Sequence, residues 1–174
     1  NDYLKAFEEA LKDADAGSKV LYIPAGTFEL SGIWYIFGSD VKITGAGMWY
    51  TNLKFTNPNP FGGGISGGNG SHGPDGYCNN VEICNLYLNS NLRSRHNQQA
   101  VYKCFMDVFK GGSVIHHVWE DHFECGFWIG DYNGKVDYSN DLKIISCRIR
   151  NNFADGVNFC QGTSNATVYN CSVR

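Results

Sequence analysis

The segment RNNFADGVNFCQG, residues 150–162, presents one carboxylate, Asp155, between an alanine and a glycine. A carboxylate can act as a general acid or base, although an aspartate before glycine is more often a turn residue. On one unbroken strand Asp155 would share a face with Val157 and Phe159, and its charge would be buried at high cost. Catalytic use of Asp155 therefore requires a bend at residues 154–156 that turns the carboxylate outward.

A second polar cluster is HHVWEDHFE, residues 116–124, with three histidines and three carboxylates. These residue types bind metals, but His116 and His117 should point apart on a strand, and neither an HExxH motif nor tetrahedral zinc spacing is present. The Gly-rich segment 57–76 lacks the Gly-Lys-Ser/Thr ending of a phosphate-binding loop. We therefore predict neither a metal site nor a cofactor.

Composition restricts the partners of the chain. Its 174 residues carry 14 basic side chains and a net charge of -3, so no basic stripe is available for a phosphate backbone and we expect no nucleic acid. No run of about 18 apolar residues is present, so we expect no membrane span. The length favours one domain, residues 1–174, and we expect a monomer.

The N-terminal segment predicts a helix over residues 1–17. Leu4, Phe7, Leu11 and Ala14 recur at helical spacing, Asn1 or Asp2 can cap the start, and Gly17 can close the end. From residue 18 onward the pattern is β and loop, beginning with KVLYIPAGTFEL at 19–30. We expect the helix to cover the exposed end of a stack of strands.

Internal repeats decide the architecture. Five segments share one register: SDVKITGAGM (39–48), NNVEICNLYL (79–88), GGSVIHHVWE (111–120), NDLKIISCRI (140–149) and SNATVYNCSV (164–173). Their starts lie 40, 32, 29 and 24 residues apart, falling toward the length of one coil of a parallel β-helix. We predict an all-β solenoid with a capping helix, whose last coil continues in a longer protein.

Two places of the repeat predict side-chain columns. The seventh place should form a polar bend column of Gly45, Asn85, His117, Ser146 and Asn170. The eighth should form an inward apolar column of Ala46, Leu86, Val118, Cys147 and Cys171. Cys147 and Cys171 would be neighbours there, either joined by a disulfide or packed as small apolar residues.

The sequence also resembles a known family. YLKAFEEALKDADAGSKVLYIPAGTFEL is similar to the N-terminal signature of pectate-lyase-like right-handed β-helices. KITGAGMWYTNLKF and NNFADGVNFCQGTSNATVYNCSVR resemble the catalytic domain of glycoside hydrolase family 87, the bacterial α-1,3-glucanases and mycodextranases. The resemblance implies a right-handed parallel β-helix, a secreted enzyme that hydrolyses α-1,3-glucan or nigeran, and Asp155 as the first of three catalytic carboxylates. The other two would follow one coil later, beyond residue 174, so we expect the chain alone to be inactive.

Alignment of FECGFWIGD (123–131) beneath FADGVNFCQ (153–161) predicts further sugar contacts. It places Cys125 below Asp155, Trp128 below Asn158 and Asp131 below Gln161. Trp128 and Asn158 would then point outward, and Trp128 could stack on a sugar ring.

Trp49 is a weaker candidate for sugar stacking, because aromatic residues in solenoids more often pack. Four polar residues are predicted to form a groove-side loop that binds sugar hydroxyls, or else a solvated corner: Glu120, Asp121, His122 and Glu124.

Other functions on this fold stay open at this point. A polysaccharide lyase would use clustered carboxylates with a basic residue, for which Arg148 and Arg150 are available. A dextranase or a non-catalytic carbohydrate-binding or structural solenoid is also compatible with the repeats.

Overall fold

The computed structural model describes residues 1–59, 62–68, 76–90, 92, 102–130 and 139–174. Within them lie one helix, α1 (Leu4–Ala16), and nineteen short strands. The strands of the first half are β1 (Val20–Ile23), β2 (Gly26–Leu30), β3 (Trp34–Tyr35), β4 (Lys42–Gly45), β5 (Thr51–Phe55), β6 (Ile65–Gly67), β7 (Cys78–Asn79) and β8 (Glu82–Asn89). The remaining strands are β9 (Lys103–Asp107), β10 (Phe109–Lys110), β11 (Val114–Asp121), β12 (Cys125–Ile129), β13 (Ser139–Asn140), β14 (Lys143–Ile145), β15 (Arg148–Arg150), β16 (Val157–Phe159), β17 (Thr163–Ser164), β18 (Thr167–Tyr169) and β19 (Ser172–Val173).

Every strand pair is parallel, and the strands form two main sheets. Sheet A runs in the order β1-β4-β8-β11-β14-β18 and also includes β2, β5, β15 and β19. Sheet B has the order β16-β12-β9-β6-β3, and β7–β10 and β13–β17 form two small pairs. Successive visits of the chain to the same sheet stack as coils, which confirms the predicted parallel β-helix.

The helix packs on the first coil with the face that the sequence predicts. Phe7, Leu11 and Ala14 are buried, and the Phe7 ring meets the Trp34 ring edge-on at a centroid distance of 5.0 Å. The Asp2 carboxylate accepts the Leu4 backbone N–H at 3.1 Å, as a residue near the helix start is expected to do. No helix in the described part of the chain is long and apolar enough to cross a membrane.

The repeat register is confirmed through the stack. Its fifth place forms one ladder across sheet A, in which all but the last member are completely buried: Ile43, Ile83, Ile115, Ile144 and Val168. Burial of each branched apolar side chain in such a column stabilises the fold by about 1.5–3 kcal/mol. It forms the core of the solenoid.

The bends use the left-handed region of backbone conformation. Four seventh-place residues have positive φ: Asn85, His117, Ser146 and Asn170. Asparagine enters this region more easily than most residues because its side chain bonds locally. The predicted ladder of polar side chains is present where Asn170 Nδ2 donates to Ser146 Oγ at 3.0 Å.

One member of the predicted apolar column is wrong. Ala46 is exposed, because the coil of β4 and β5 carries five more residues than the next coil, that of β8, between the pairs Thr44–Cys84 and Asn52–Tyr87. The inward place falls to Thr51, which is fully buried. Its Oγ1 accepts the Ala46 N–H at 2.8 Å and donates to the Pro24 carbonyl at 3.0 Å.

All seven cysteines carry free thiols. Cys147 and Cys171 are neighbours, as predicted, and the Cys147 N–H lies 3.4 Å from Cys171 Sγ. Of the two alternatives left by the sequence, the structure has the unbridged pair.

Candidate active site

Asp155 lies at the corner between β15 and β16, in the bend that the sequence required. Strand β16 starts only at Val157, and the Asp155 side chain is exposed. Its Oδ2 accepts a hydrogen bond from Asn158 Nδ2 at 3.0 Å, while its backbone carbonyl accepts the Gly126 N–H at 2.9 Å. The carboxylate therefore faces solvent from a corner held by the coil below.

Trp128 and Asn158 are paired across β12 and β16, as the alignment of the two segments predicted. They belong to a row on the outer face of sheet B that continues through the coils below: Tyr35, Ser66, Met106, Trp128 and Asn158. Trp128 is half-buried. The Lys103 ammonium lies 4.1 Å from its ring centroid, so a cation–π contact already covers one face of the indole.

Lys103 is a site residue that sequence reasoning missed. Burial lowers the pKa of its ammonium, and the nearby Asp107 carboxylate opposes that effect. Lys103 pairs with Cys125 in the sheet. Its contact with Trp128 depends on stacking of two coils, which the local sequence does not show.

Glu120 does not lie in a loop, and the prediction of its position was wrong. It is near the end of β11 and fully buried, in an inward column with apolar residues of the neighbouring coils, Leu53, Leu88 and Ile149. Burial raises the pKa of Glu120 to about 8, against the opposing effect of its hydrogen bond with Asn152. The side chain is therefore a neutral carboxylic acid at neutral pH.

The buried acid is tied to the corner that carries Asp155. Glu120 Oε1 accepts Asn152 Nδ2 at 2.7 Å and the Arg150 backbone N–H at 3.2 Å. Its Oε2 has no hydrogen-bond partner among the described residues. Since Asn152 Oδ1 also accepts the Phe123 N–H at 3.2 Å, the amide of Asn152 joins two coils.

The corner of residues 151–156 rests directly on the equivalent corner below it. The Phe153 N–H donates to the Phe123 carbonyl at 3.0 Å, and the Ala154 N–H to the Glu124 carbonyl at 2.7 Å. Gly126 makes the close approach possible. A Cβ there would stand 2.6 Å from the Gly156 carbonyl oxygen and 2.7 Å from Glu120 Oε1.

Two other members of the predicted loop are also largely buried. Asp121 ends β11 and accepts hydrogen bonds from Tyr87 Oη at 3.2 Å and Asn151 Nδ2 at 2.8 Å. Glu124 is fully buried and accepts the Tyr102 N–H at 3.2 Å. Asp121 therefore belongs to a strand, and Glu124, although it lies in the connection between β11 and β12, is enclosed by the coil. Neither carboxyl group forms the predicted sugar-binding surface or a solvated corner. His122 alone is half-exposed, at a left-handed bend with φ 61.

Trp49 packs against sheet A, whereas Trp128 belongs to sheet B. It projects from the five-residue insertion, is 60% exposed, and meets Trp119 on the outer face of sheet A at a centroid distance of 5.1 Å. Tyr87 and Arg148 complete this aromatic group, since Tyr87 lies 4.5 Å from Trp119 and the Arg148 guanidinium 5.1 Å from the Trp49 ring. Asp131 lies outside the described residues.

The prediction that His116 and His117 point apart was wrong. Because His117 has a φ of 50, its ring turns toward His116, with Nδ1 atoms 2.7 Å apart.

The two arginines considered for a lyase both have other contacts. Arg150 donates to Ser172 Oγ at 3.0 Å, and Arg148 packs on the aromatic group.

Comparisons with known proteins agree on one family. Residues 2–174 match the sequence family described as alpha-1,3-glucanase catalytic domain D2. No curated protein matches the chain. The crystal structure of the Agl-KA catalytic domain is 49% identical, with a TM-score of 0.85, and the match covers 98% of this chain and 29% of that one.

Two sugar complexes are also similar. A catalytic domain of a GH87 alpha-1,3-glucanase, an Asp→Ala variant in complex with tetrasaccharides, is 25% identical with a TM-score of 0.73, covering 97% of this chain and 28% of that one. A GH87 alpha-1,3-glucanase catalytic domain in complex with nigerose is 25% identical with a TM-score of 0.67, covering 95% and 28%. The chain thus spans under a third of the solved domains, and it belongs to the alpha-1,3-glucanase catalytic domain D2 family.

Proposed function

We propose that the protein containing this chain hydrolyses α-1,3-glucan or the related α-glucan nigeran, and that Asp155 is one of its catalytic carboxylates. The observation that carries the assignment is the exposed position of Asp155 at a corner that the coil below holds by backbone hydrogen bonds. The sugar ligands of the solved relatives, nigerose and tetrasaccharides, support the substrate class. One of these complexes was obtained with an aspartate replaced by alanine, which fits a role for carboxylates in the family.

The proposed mechanism uses Asp155 with a second carboxyl group across the glycosidic bond. Retention needs the two groups about 5 Å apart and inversion about 6.5–9.5 Å. Asp107, the carboxylate on the described strands of sheet B, lies two coils below Asp155 and four residues further along the strand direction. That offset is roughly 16 Å at ordinary strand spacings. The second group is therefore proposed to lie outside the residues that the structure describes.

The outer face of sheet B is the proposed path of the glucan. Trp128 offers the indole face that Lys103 leaves uncovered, and a pyranose ring stacks on such a face. Asn158 holds Asp155 Oδ2 through its amide and keeps a carbonyl oxygen for a sugar hydroxyl or for the Cys160 thiol, which lies at 3.3 Å. Trp49, on sheet A, is proposed as a more distant glucan contact, and His122 as a polar one.

Glu120 is proposed to position Asp155 and not to touch the substrate. Its carboxyl group is enclosed by the coil, yet it fixes Asn152 and the Arg150 N–H. Because these groups start the corner, their restraint limits the angle at which Asp155 leaves the coil. Asp121 acts in the same way through Asn151.

We further propose that the enzyme acts outside the cell, because an insoluble polymer cannot enter it, and that it acts as a monomer. Support for the second point is that one chain supplies both the Asp155 corner and the Trp128 row. Light scattering of the purified protein tests it.

The test is reducing-sugar release from α-1,3-glucan and nigeran by the longer protein, comparing wild type with Asp155→Asn. Asp141→Asn is a matched control, because Asp141 is exposed, has a left-handed φ of 57 and lies on another corner. We expect loss of activity by orders of magnitude only for Asp155→Asn, on the order of 10²-fold or more. Equal activity of the two variants would make Asp155 a turn residue. An unsaturated product would instead indicate a lyase.

A further inference from the structure

Three side chains with metal-binding atoms meet on the outer face of sheet A. Glu82 and Cys84 stand two residues apart on β8, and His116 on β11 is paired directly with Cys84. His116 Nε2 lies 2.9 Å from Glu82 Oε1, and Cys84 Sγ lies 3.6 Å from the same oxygen. All three ligand atoms lie within 4.8 Å of one another. Two bends of the coil, at the positions of His117 and His122, separate this cluster from the sheet of Trp128.

The combination of ligands has a definite chemical preference. A thiolate, an imidazole and a carboxylate together suit Zn²⁺, which binds sulfur at about 2.3 Å and nitrogen or oxygen at about 2.0–2.2 Å in tetrahedral geometry. Ligand atoms around such an ion lie roughly 3.3–3.8 Å from one another, so the separations in the cluster need only small side-chain movements. We propose that Glu82, Cys84 and His116 form a binding site for Zn²⁺ with one coordination position open to solvent.

Neighbouring groups orient two of the three ligands. Cys84 Sγ lies 3.4 Å from Thr44 Oγ1 on the preceding coil. His116 Nδ1 contacts His117 Nδ1 at 2.7 Å, which leaves Nε2 directed at Glu82. Outer partners of this kind fix ring orientation in protein metal sites. The strand backbone carries all three ligands, so the site is built on rigid elements.

In the free protein, the Lys42 ammonium supplies the positive charge beside Glu82 that a bound metal ion would supply. Its Nζ lies 2.7 Å from Glu82 Oε1, the oxygen that also contacts His116. Metal binding therefore replaces the ammonium as the partner of Glu82. On binding, the Cys84 S–H bond breaks, its proton goes to solvent and a sulfur–metal bond forms.

The sequence predicted no metal site because the three ligands are not close in the chain. Glu82 and Cys84 precede His116 by 34 and 32 residues, about one coil of the stack, and only the parallel pairing of β8 with β11 aligns them. The polar cluster at residues 116–124 contributes only His116 to this site.

The proposal is tested by titrating the reduced protein with Zn²⁺ against a chromophoric chelator, and with Co²⁺ while recording thiolate-to-metal absorption. Cys84→Ser, His116→Gln and Lys42→Met probe the site. Cys160→Ser is the control, because Cys160 is a half-buried thiol that directly follows β16 of the other sheet. We expect Cys84→Ser to abolish the thiolate band and His116→Gln to weaken Zn²⁺ binding roughly 10–100-fold. Lys42→Met should tighten binding, and Cys160→Ser should leave it unchanged.

Circular dichroism and thermal unfolding without metal show whether each variant is folded. Lys42 and His116 are half-exposed, and the enclosed Cys84 is replaced by a serine of similar size, so folded variants are expected. Persistence of the thiolate band in folded Cys84→Ser, or loss of it in Cys160→Ser, would refute the site. Unchanged Zn²⁺ affinity in Lys42→Met would refute the role of Glu82. None of these measurements depends on glucan hydrolysis.

Discussion

Glu120 Oε1 lies 2.7 Å from Asn152 Nδ2, so an acid in the interior of one coil holds the corner of the next. The neighbours of Glu120 in its column are apolar. An apolar residue in place of Glu120 would avoid the free-energy cost of burying a carboxyl group. The presence of an acid at position 120 is explained by its hydrogen bonds to the start of the next corner. That corner carries Asp155 three residues after Asn152.

Replacement of Glu120 by leucine should separate activity from stability. Leucine is the residue at the same place one coil below, Leu88, so the column stays packed. Asn152 and the Arg150 N–H lose their acceptor, however, and a small displacement of a catalytic group can cost on the order of 10²-fold in rate. We expect kcat of the longer protein to fall with KM little changed.

Glu120→Gln is the matched control, because its carbonyl oxygen still accepts both hydrogen bonds. We expect near wild-type kcat from this variant, and faster hydrogen exchange at residues 151–156 only in Glu120→Leu. Exchange is measured without substrate, so it tests the restraint even if the proposed activity is wrong. Equal exchange in the two variants would show that Glu120 does not hold the corner.

The buried acid should also make stability depend on pH. In the folded state the pKa of Glu120 is about 8, and in the unfolded chain it returns toward 4.5. Between these values the folded protein holds one more proton than the unfolded chain, so the free energy of unfolding falls as pH rises, by up to about 1.4 kcal/mol per pH unit. Below pH 4.5 this contribution is fully present.

Urea unfolding of wild type and Glu120→Gln at several pH values measures this dependence. The difference between the two proteins isolates Glu120 from thiols that titrate in the same range. We expect the wild type to lose stability relative to the variant from pH 5 to pH 8. A constant difference across that range would mean that Glu120 is ionised in the folded protein.

Cys171 should be the most reactive thiol of the reduced 174-residue chain at neutral pH. The hydrogen bond from Cys147 lowers the pKa of the Cys171 thiol, whereas burial raises the pKa of Cys160. Both side chains are half-buried, so access is similar and thiolate content decides the rate. Timed alkylation with iodoacetamide followed by peptide mass spectrometry measures the order. Labelling of Cys160 before Cys171 would contradict it.

Trp128→Ala should weaken substrate binding more than it slows the chemical step. Trp128 offers a stacking face but lies one coil away from the Asp155 corner, so we expect KM to rise with a smaller change in kcat. A lost aromatic contact of about 1 kcal/mol corresponds to roughly fivefold. Tyr169→Ala is the control, since Tyr169 is an exposed aromatic residue on sheet A. A larger KM effect from Tyr169→Ala would place the glucan on the other sheet.

The register of the stack could be predicted because each coil repeats the same alternation, and a slip of one residue would turn every side chain over. The same alternation also predicts that Glu120 points inward. It occupies the tenth place of its repeat, as Leu88 and Ile149 do in theirs. Its charge favoured a surface loop instead. The alternation was the better guide, because a neutral acid with hydrogen-bond partners can be buried.

Other features depend on contacts between coils and had no local signal. The Lys103–Trp128 contact joins residues 25 positions apart, and the five-residue insertion moved Ala46 out of the apolar column. The alignment of Trp128 with Asn158 succeeded because each segment contains a glycine two residues before the paired position.

The insertion at residues 46–50 has a consequence for how such a molecule can change. It adds a protruding loop with Trp49 at a bend, while the strands before and after it keep their pairing with β8. Loops can therefore be lengthened, exchanged or grafted at a bend without rebuilding the stack beneath. The residues exposed at the bends can therefore change in number and type while the register that places the Asp155 corner stays the same.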